Sequence, residues 1–243
     1  MLATLAAFQL LALGQAKLAD PAESPPSTAE APAQAPQAPA KEGAAPPPAR
    51  AKAAAPALPS LLSAEPLGGA SVGLAWVGWT TLGAAWGQGL SPRDDLGAFG
   101  DFDWTTTEMR LGGWYRRPIG KAGDFHLAGR LALSWYLDFG THWAREGNHG
   151  DRGLQIAPAL IASTRGAGGV FTITGDLPLT VTFWHSGGLL FQPRLSVAYE
   201  TALYDELTVG VRAGLGARAG AGGAPIPTAQ GTFEFLVLAG YRF

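Results

Sequence analysis

The sequence contains a single pair of neighbouring residues whose types suit nucleophilic catalysis, His185 and Ser186 in Trp-His-Ser-Gly-Gly. A serine hydroxyl becomes a nucleophile when a histidine side chain lies within hydrogen-bonding distance of it. Adjacent residues of a strand point to opposite faces, so these two side chains would not form a catalytic pair there. We therefore expect no catalytic residues and no enzyme.

Two other patterns test for metal and cofactor chemistry. His142, His149 and Asp151 lie close together in the sequence and carry the atoms that bind metals. Histidines in a loop rich in Gly and Asn are more often solvated, so we expect no metal. The Gly-Leu-Gly sequence at 214–216 lies within a strand-like run, whereas a dinucleotide motif needs a strand-to-helix turn. We expect no cofactor, and a net charge of -2 gives no reason to expect nucleic acid binding.

Arginine and aspartate make the clearest chemical pattern. Counted along strand-like segments, a set of charged residues converges on one face near mid-height: Arg110, Arg130, Asp176, Arg194 and Arg212. An unpaired buried charge is costly, so each arginine must find a carboxylate, a carbonyl or water. Two alternatives stay open for this cluster, a structural plug of ion pairs and a narrow path that prefers anions.

The segments that position these residues begin after Gly68, where Gly, Trp, Val and Thr alternate without a helical period. We predict eight strands, at 71–86, 105–117, 125–139, 154–165, 170–184, 189–200, 207–218 and 232–243. Each is long enough to cross a bilayer as a tilted strand. Their connections alternate between short turns (118–124, 166–169, 201–206) and longer loops (87–104, 140–153, 219–231), with 185–188 as the exception. This alternation is typical of small membrane barrels.

Three prolines fall inside the predicted strands. Pro158, Pro178 and Pro193 each remove a backbone donor from the ladder. We expect a bulge at each of them, and they put the strand count in question.

Side-chain alternation separates an apolar face from a polar one. On the third strand Leu131 and Leu133 share the apolar face, while Arg130 and Ala132 share the other. The polar faces carry no Lys and consist of Gly, Ala, Ser and Arg, which suits a narrow lumen better than a solvated surface. Aromatic residues of the apolar faces collect at the strand ends, as interfacial girdles do. The sequence therefore predicts an apolar exterior.

The last twelve residues, 232–243, place six apolar side chains on one face and end at Phe243, two residues after Tyr241. This ending resembles the closing strand of bacterial outer-membrane β-barrels, in which a terminal Phe with Tyr or Phe two residues earlier is the assembly signal. The resemblance implies that Tyr241 and Phe243 form this signal. It also implies outer-membrane location after export, contact with outer-membrane lipids and insertion by the barrel assembly machinery.

The residues before the strands differ in composition. Residues 1–16 are apolar and end in small residues, which predicts a signal peptide. Residues 17–66 are rich in Ala and Pro and are predicted to be a disordered linker in the periplasm, where they could reach the cell wall or a periplasmic partner. Residues 67–243 form the predicted barrel.

The expected fold is thus all-β, a closed antiparallel up-and-down transmembrane β-barrel of eight strands. The expected function is a structural or surface-binding role through the extracellular loops. A narrow anion-preferring pore is one alternative. A lipid-modifying enzyme is another, because His185 and Ser186 faintly resemble the His and Ser of outer-membrane lipid A deacylases and phospholipases.

Overall fold

The computed structural model describes residues 60–139, 151–183, 187–222 and 229–243. Its regular elements are β1 (Ser71–Gly78), β2 (Thr81–Gly89), β3 (Asp95–Asp103), β4 (Glu108–Ala122), β5 (Phe125–Asp138), β6 (Arg152–Gly166), β7 (Gly169–Asp176), β8 (Leu179–Thr182), β9 (Gly188–Phe191), β10 (Arg194–Ala202), β11 (Leu207–Gly222) and β12 (Gln230–Arg242). Within these described ranges no helix has the length and hydrophobicity needed to cross a membrane.

The strands close into a barrel. All pairings are antiparallel, and β12 returns to pair with β1 over Val72–Gly78 and 236–242. Consecutive strands pair with each other, except that β7 and β8 form one line of the barrel, and β9 and β10 form another. The ladder of β6 continues from β7 to β8, and that of β11 continues from β10 to β9. The twelve segments therefore occupy ten positions around the barrel. The predicted all-β, closed antiparallel up-and-down barrel is confirmed, and the predicted count of eight strands is wrong.

The missing strands lie near the start of the barrel. The predicted strand 71–86 is in fact a hairpin of β1 and β2, joined at Trp79 and Thr80. The predicted loop 87–104 contains the end of β2 and all of β3. Neither Trp nor Thr is a typical hairpin turn residue, and the glycines and aspartates of β3 have low strand propensity, so both features are hidden in the sequence.

The three prolines that fall inside predicted strands leave the ladder registers unchanged. Pro158 lies within β6 opposite Leu131, and no shift occurs there. Pro178 and Pro193 divide β7 from β8 and β9 from β10, but the carbonyl of each still accepts a backbone hydrogen bond, from Gln192 at 2.9 Å and from Ala217 at 3.0 Å. The expected bulges at these three prolines are therefore wrong.

A single register shift, between Pro118 and Gly120, occurs among the described pairings, in β4. At Pro158, Pro178 and Pro193 only a backbone donor is lost. One missing hydrogen bond is tolerated there because the flanking pairs hold the strand.

The two ends of the barrel differ. One end, called the turn end, carries the connections 90–94, 123–124, 167–168 and 203–206 together with both ends of the barrel chain. The other, called the loop end, carries 79–80, 104–107, 139–151, 183–187 and 223–229. The longest connections thus share one end, although the predicted loop 87–104 is replaced by a strand and two short turns.

Apolar side chains cover the outside, as predicted. On β5, Leu131 and Leu133 are 48% and 59% exposed, while the alternate residues Ala132 and Ser134 are 9% and 3% exposed. All twelve strand segments carry at least one large exposed apolar side chain. The buried polar residues of the strands, such as Ser134, Asp176 and Arg116, point into the lumen.

Aromatic rings mark both ends of this outer surface. Trp135 and Phe183 meet edge to face near the loop end, with ring centroids 5.7 Å apart. Tyr241 and Phe243 meet in the same way at the turn end, at 5.2 Å. This is the sorting by strand end that the sequence predicts.

Residues 60–67, called the plug, lie inside the barrel at the turn end. Leu61 and Leu67 are buried against an inward apolar wall that includes Val72, Leu74 and Trp114. The predicted linker therefore contributes its last residues, 60–66, to the interior. The signal peptide and the rest of the linker, 1–59, lie outside the described residues.

Candidate functional site in the barrel lumen

The lumen contains three polar layers, which follow one another from the turn end to the loop end. The plug layer holds residues 60–67, the charged layer holds the predicted arginine cluster, and the upper layer lies beneath the loops. Each layer is built from inward positions of several strands, because alternate residues of every strand face the lumen.

Arg116 holds the plug. Its Nε donates to Asp95 Oδ2 at 2.9 Å, and both side chains are fully buried. Its Nη1 donates to three plug carbonyls, those of Ser60, Leu61 and Ser63. One guanidinium thus pairs with a buried carboxylate and satisfies backbone acceptors that the irregular plug cannot satisfy itself.

The remainder of the plug is tied to other strands. The Ser60 hydroxyl donates to Glu200, and the Ala64 amide donates to Ser163 Oγ at 2.9 Å. Glu65 accepts hydrogen bonds from Arg165, and His126 Nε2 lies 3.7 Å from its carboxylate. The Arg165 hydrogen bonds lower the pKa of Glu65 below its ordinary value of 4.5, with smaller contributions from nearby positive charge. The plug is thereby held from several sides of the barrel.

All five predicted cluster residues line one cavity, the lower cavity, which lies between the plug and the charged layer: Arg110, Arg130, Asp176, Arg194 and Arg212. Two of the arginines have close carboxylate partners. Arg110 Nε donates to Asp101 Oδ1 at 2.7 Å. Arg194 Nε donates to Asp176 Oδ1 at 2.9 Å.

The other two arginines are less well satisfied. Arg212 lies 3.4 Å from Glu234 and 3.9 Å from Asp176, and these distances are longer than direct charge-assisted hydrogen bonds. Arg130 has no carboxylate within 4.0 Å among the described residues, and its Nε is buried without a hydrogen-bond partner. The layer therefore retains unused donors.

Part of the lining of the lower cavity is apolar. Trp76, Phe99 and Trp114 contribute to it, together with Leu61 and Leu62 of the plug. Trp114 fits because its neighbours are glycines: a Cβ on Gly97 would lie 2.3 Å from the indole ring, and one on Gly87 would lie 2.7 Å from it. The cavity measures about 130 Å³.

A second cavity of about 130 Å³, the upper cavity, lies beyond the charged layer. Arg218 lines the upper cavity and donates to Glu108 Oε1 at 2.6 Å and to the Tyr136 hydroxyl at 3.2 Å. The two cavities share five charged lining residues, Asp101, Arg110, Arg194, Arg212 and Glu234, so they adjoin at the charged layer.

The predicted assembly signal lies outside the lumen. Tyr241 and Phe243 are exposed at the turn end, and Tyr241 donates its hydroxyl hydrogen to Glu206 at 3.0 Å. The Phe243 amide donates to Ser71 O at 3.0 Å, so the terminal residue takes part in barrel closure.

Several other sequence candidates fall outside the described residues, namely His142, His149, His185 and Ser186. Asp151 is described, and its backbone extends the β5–β6 ladder by pairing with Asp138. The Gly-Leu-Gly sequence at 214–216 lies within β11.

Sequence reasoning missed three parts of the site. The first is the carboxylates Asp95 and Asp101, which fell in a predicted loop although they alternate with Leu96 and Ala98 in the period of a strand. The second is the plug, whose leucines stand at the end of an Ala/Pro-rich tract and carry no periodic signal. The apolar inner wall was also missed, because inward Leu and Val resemble lipid-facing residues.

A scan against protein-family models found no match, and a search of curated proteins found none either.

Proposed function

We propose that this chain is a bacterial outer-membrane β-barrel protein with a structural or surface-binding role. The observation that carries this proposal is the inverted distribution of side chains. Large apolar residues are exposed on all twelve strand segments, while ion pairs and hydroxyls are buried inside. A soluble monomer rarely exposes a continuous apolar surface larger than about a few hundred Å², whereas a lipid bilayer covers such a surface.

Strand lengths support the same proposal. β4, β5, β6, β11 and β12 contain 15, 14, 15, 16 and 13 residues, more than a tilted strand needs to cross the hydrocarbon core. The closed ring satisfies the backbone groups that lipid would leave unpaired. The turn end would then face the periplasm, where the predicted linker would also lie, and the loop end would face outward.

The plug favours a structural role over an open channel. Arg116, Asp95 and the apolar wall hold residues 60–67 across the turn end. The connections at the loop end would supply the surface for binding. The predicted linker could bind the cell wall or a periplasmic partner.

Cell fractionation with gel mobility tests the proposal. We expect the chain in outer-membrane fractions, with the faster mobility of a folded barrel before heating and slower mobility after it. Recovery of the folded chain as a soluble periplasmic protein would overturn the proposal.

The assembly signal has its own test. Phe243→Asp should block insertion by the barrel assembly machinery, because β12 must pair with β1 to close the ring. Phe233→Asp makes the same change at the other end of β12, where the side chain is also exposed, and should insert. Equal insertion of both variants would show that the terminal aromatic is not the signal.

A narrow anion-preferring pore is the second candidate. Four arginines face three carboxylates in the charged layer, and two cavities adjoin there. Planar-bilayer conductance separates this function from the structural one.

A further inference from the structure

The lower cavity has a mixed lining, and this combination suggests a ligand. Three aromatic rings, those of Trp76, Phe99 and Trp114, line it together with the plug leucines. The guanidinium groups of the charged layer line the same cavity. Ligand sites commonly combine an apolar lining with a few placed polar groups in this way.

The charged residues that line the cavity include one more arginine than carboxylates. Arg110, Arg130, Arg194 and Arg212 line the cavity with only Asp101, Asp176 and Glu234 as carboxylates, a surplus of one positive charge. Among the described residues Arg130 has neither an ion pair nor a partner for its buried Nε. A buried guanidinium without an acceptor is costly, so an anionic ligand that supplied one would bind favourably.

We propose that the lower cavity binds a small organic carboxylate with an apolar body. Its carboxylate accepts hydrogen bonds from Arg130, whose planar guanidinium matches that group. Its apolar body lies against Trp76, Phe99 and Trp114. The volume of about 130 Å³ suits a ligand of this size, since a cavity of roughly 150 Å³ accommodates a benzene ring. An inorganic anion would satisfy the arginine but leave the apolar lining uncovered.

The site lies on the loop-end side of the plug. The plug closes the turn end, and the upper cavity adjoins the lower one at the charged layer. A ligand in the lower cavity therefore lies between the charged layer and Leu61 and Leu62 of the plug. This site goes beyond the proposed function and does not depend on membrane location, because it is formed entirely inside the barrel.

Isothermal titration of the full chain folded in detergent micelles tests the inference, with benzoate as the probe and neutral benzamide as its matched control. We expect saturable binding of benzoate with one site per barrel. Benzamide should bind at least about tenfold more weakly, because a hydrogen bond to a charged group is worth about 1.5 to 3 kcal/mol. Inorganic phosphate should not displace benzoate at equal concentration.

Two arginine variants locate the site. Arg130→Gln should weaken benzoate at least about tenfold, and Arg130→Lys should weaken it less because the charge remains. Arg117→Gln, on the exposed outer face of the same barrel wall, should leave the affinity unchanged. Heat-modifiable gel mobility checks that each variant is folded.

Three results would overturn the inference. Equal affinity for benzamide would show that the negative charge of the ligand does not contribute to binding. Displacement by phosphate would show that the apolar residues do not contribute. If a folded chain showed no saturable binding of benzoate, the cavity would not be a binding site for such a ligand. None of these results bears on fractionation, so a failure of the outer-membrane proposal would be recognised separately.

Discussion

At the residue scale, two consecutive arginines of β4 have opposite environments. Arg116 is fully buried between Asp95 and the plug carbonyls, and Arg117 is largely exposed, with Asp94 at 3.8 Å. Breaking a buried pair leaves an unpaired charge, whereas an exposed pair is screened by water. The same substitution should therefore have very different effects one residue apart.

Arg116→Gln should lower the free energy of unfolding by about 3 to 5 kcal/mol, because Asp95 and three carbonyls lose their donor. Arg117→Gln should lower it by less than about 1 kcal/mol. Urea unfolding in detergent micelles, followed by gel mobility, measures both. Equal losses would contradict the assignment of Arg116 as the residue that holds the plug.

Glu65 gives the plug a pH dependence. Hydrogen bonds from Arg165 lower the pKa of the Glu65 carboxyl below 4.5, and His126 and Lys121 add positive charge nearby. A lowered pKa means that the carboxylate stabilises the folded plug above pH 4.5 and loses this contribution as the pH falls through the folded value.

Thiol labelling of a Leu61→Cys variant tests this with a water-soluble dipyridyl disulfide, which still reacts with thiols in acid. The labelling rate, divided by that of free cysteine at the same pH to remove the change in thiolate fraction, should rise as the pH falls from about 5 to about 3. Adding Glu65→Gln should make labelling faster at pH 5 and flatten its change with pH, and the difference between the two proteins isolates Glu65 from other carboxylates. Identical pH profiles would show that Glu65 does not hold the plug.

At the scale of an element, β5 shows how alternation separates the outer surface from the lumen. Leu131 and Leu133 are exposed, whereas the alternate residues Ala132 and Ser134 are buried. A strand that crosses a bilayer presents its odd and even positions to different solvents. The two sets should therefore differ in their tolerance of charge and in their access to reagents.

Leu131→Arg should destabilise the barrel in lipid by about 2 to 4 kcal/mol, since the charge must be desolvated or must distort the bilayer. Ala132→Ser should cost much less, because the lumen already holds polar groups. Unfolding from liposomes measures both changes.

A lipid-phase reagent provides the discriminating control, because a soluble barrel with an apolar core would also suffer from Leu131→Arg. The reagent should label Leu131→Cys and Leu133→Cys and spare Arg130→Cys and Ala132→Cys. The opposite pattern would mean that the apolar face points inward.

At the scale of the whole molecule, the number of strands and the plug belong together. The interior of a barrel widens as strands are added, and about eight strands leave just enough room for side chains alone. This ring has ten positions, and residues 60–67 together with two cavities occupy the additional space. Closure at the turn end is therefore a property of one short segment rather than of the wall.

Releasing the plug should open the barrel. The double variant Asp95→Asn with Arg116→Gln removes both charges of the buried pair, so that no unpaired charge remains to unfold the wall. In planar bilayers the parent chain should conduct little, and the double variant should conduct more, with a preference for anions because arginines outnumber carboxylates in the charged layer. Arg117→Gln should behave like the parent. Equal conductance of the parent and the double variant would contradict a closing role for the plug.

The features that depend on local alternation can be predicted from the sequence alone. Period-two patterns set the all-β class, the apolar exterior and the inward phase of Arg110, Arg130, Arg194 and Arg212, because each strand carries that information in its own residues. The strand predicted at 125–139 agrees closely with β5 for the same reason.

The number of strands that close the ring and the residues that fill its lumen depend on long-range contacts, so they are visible only in the tertiary structure. The hairpin at Trp79 and Thr80 lacks the usual turn residues, and β3 becomes a strand because its neighbours on both sides satisfy its backbone. The plug carries no pattern of its own: Leu61 is buried because the closed ring leaves an apolar space beside Trp114, and Ser60 and Ser63 are held because Arg116 points there. Long-range closure sets the interior volume, and no local stretch of sequence contains that quantity.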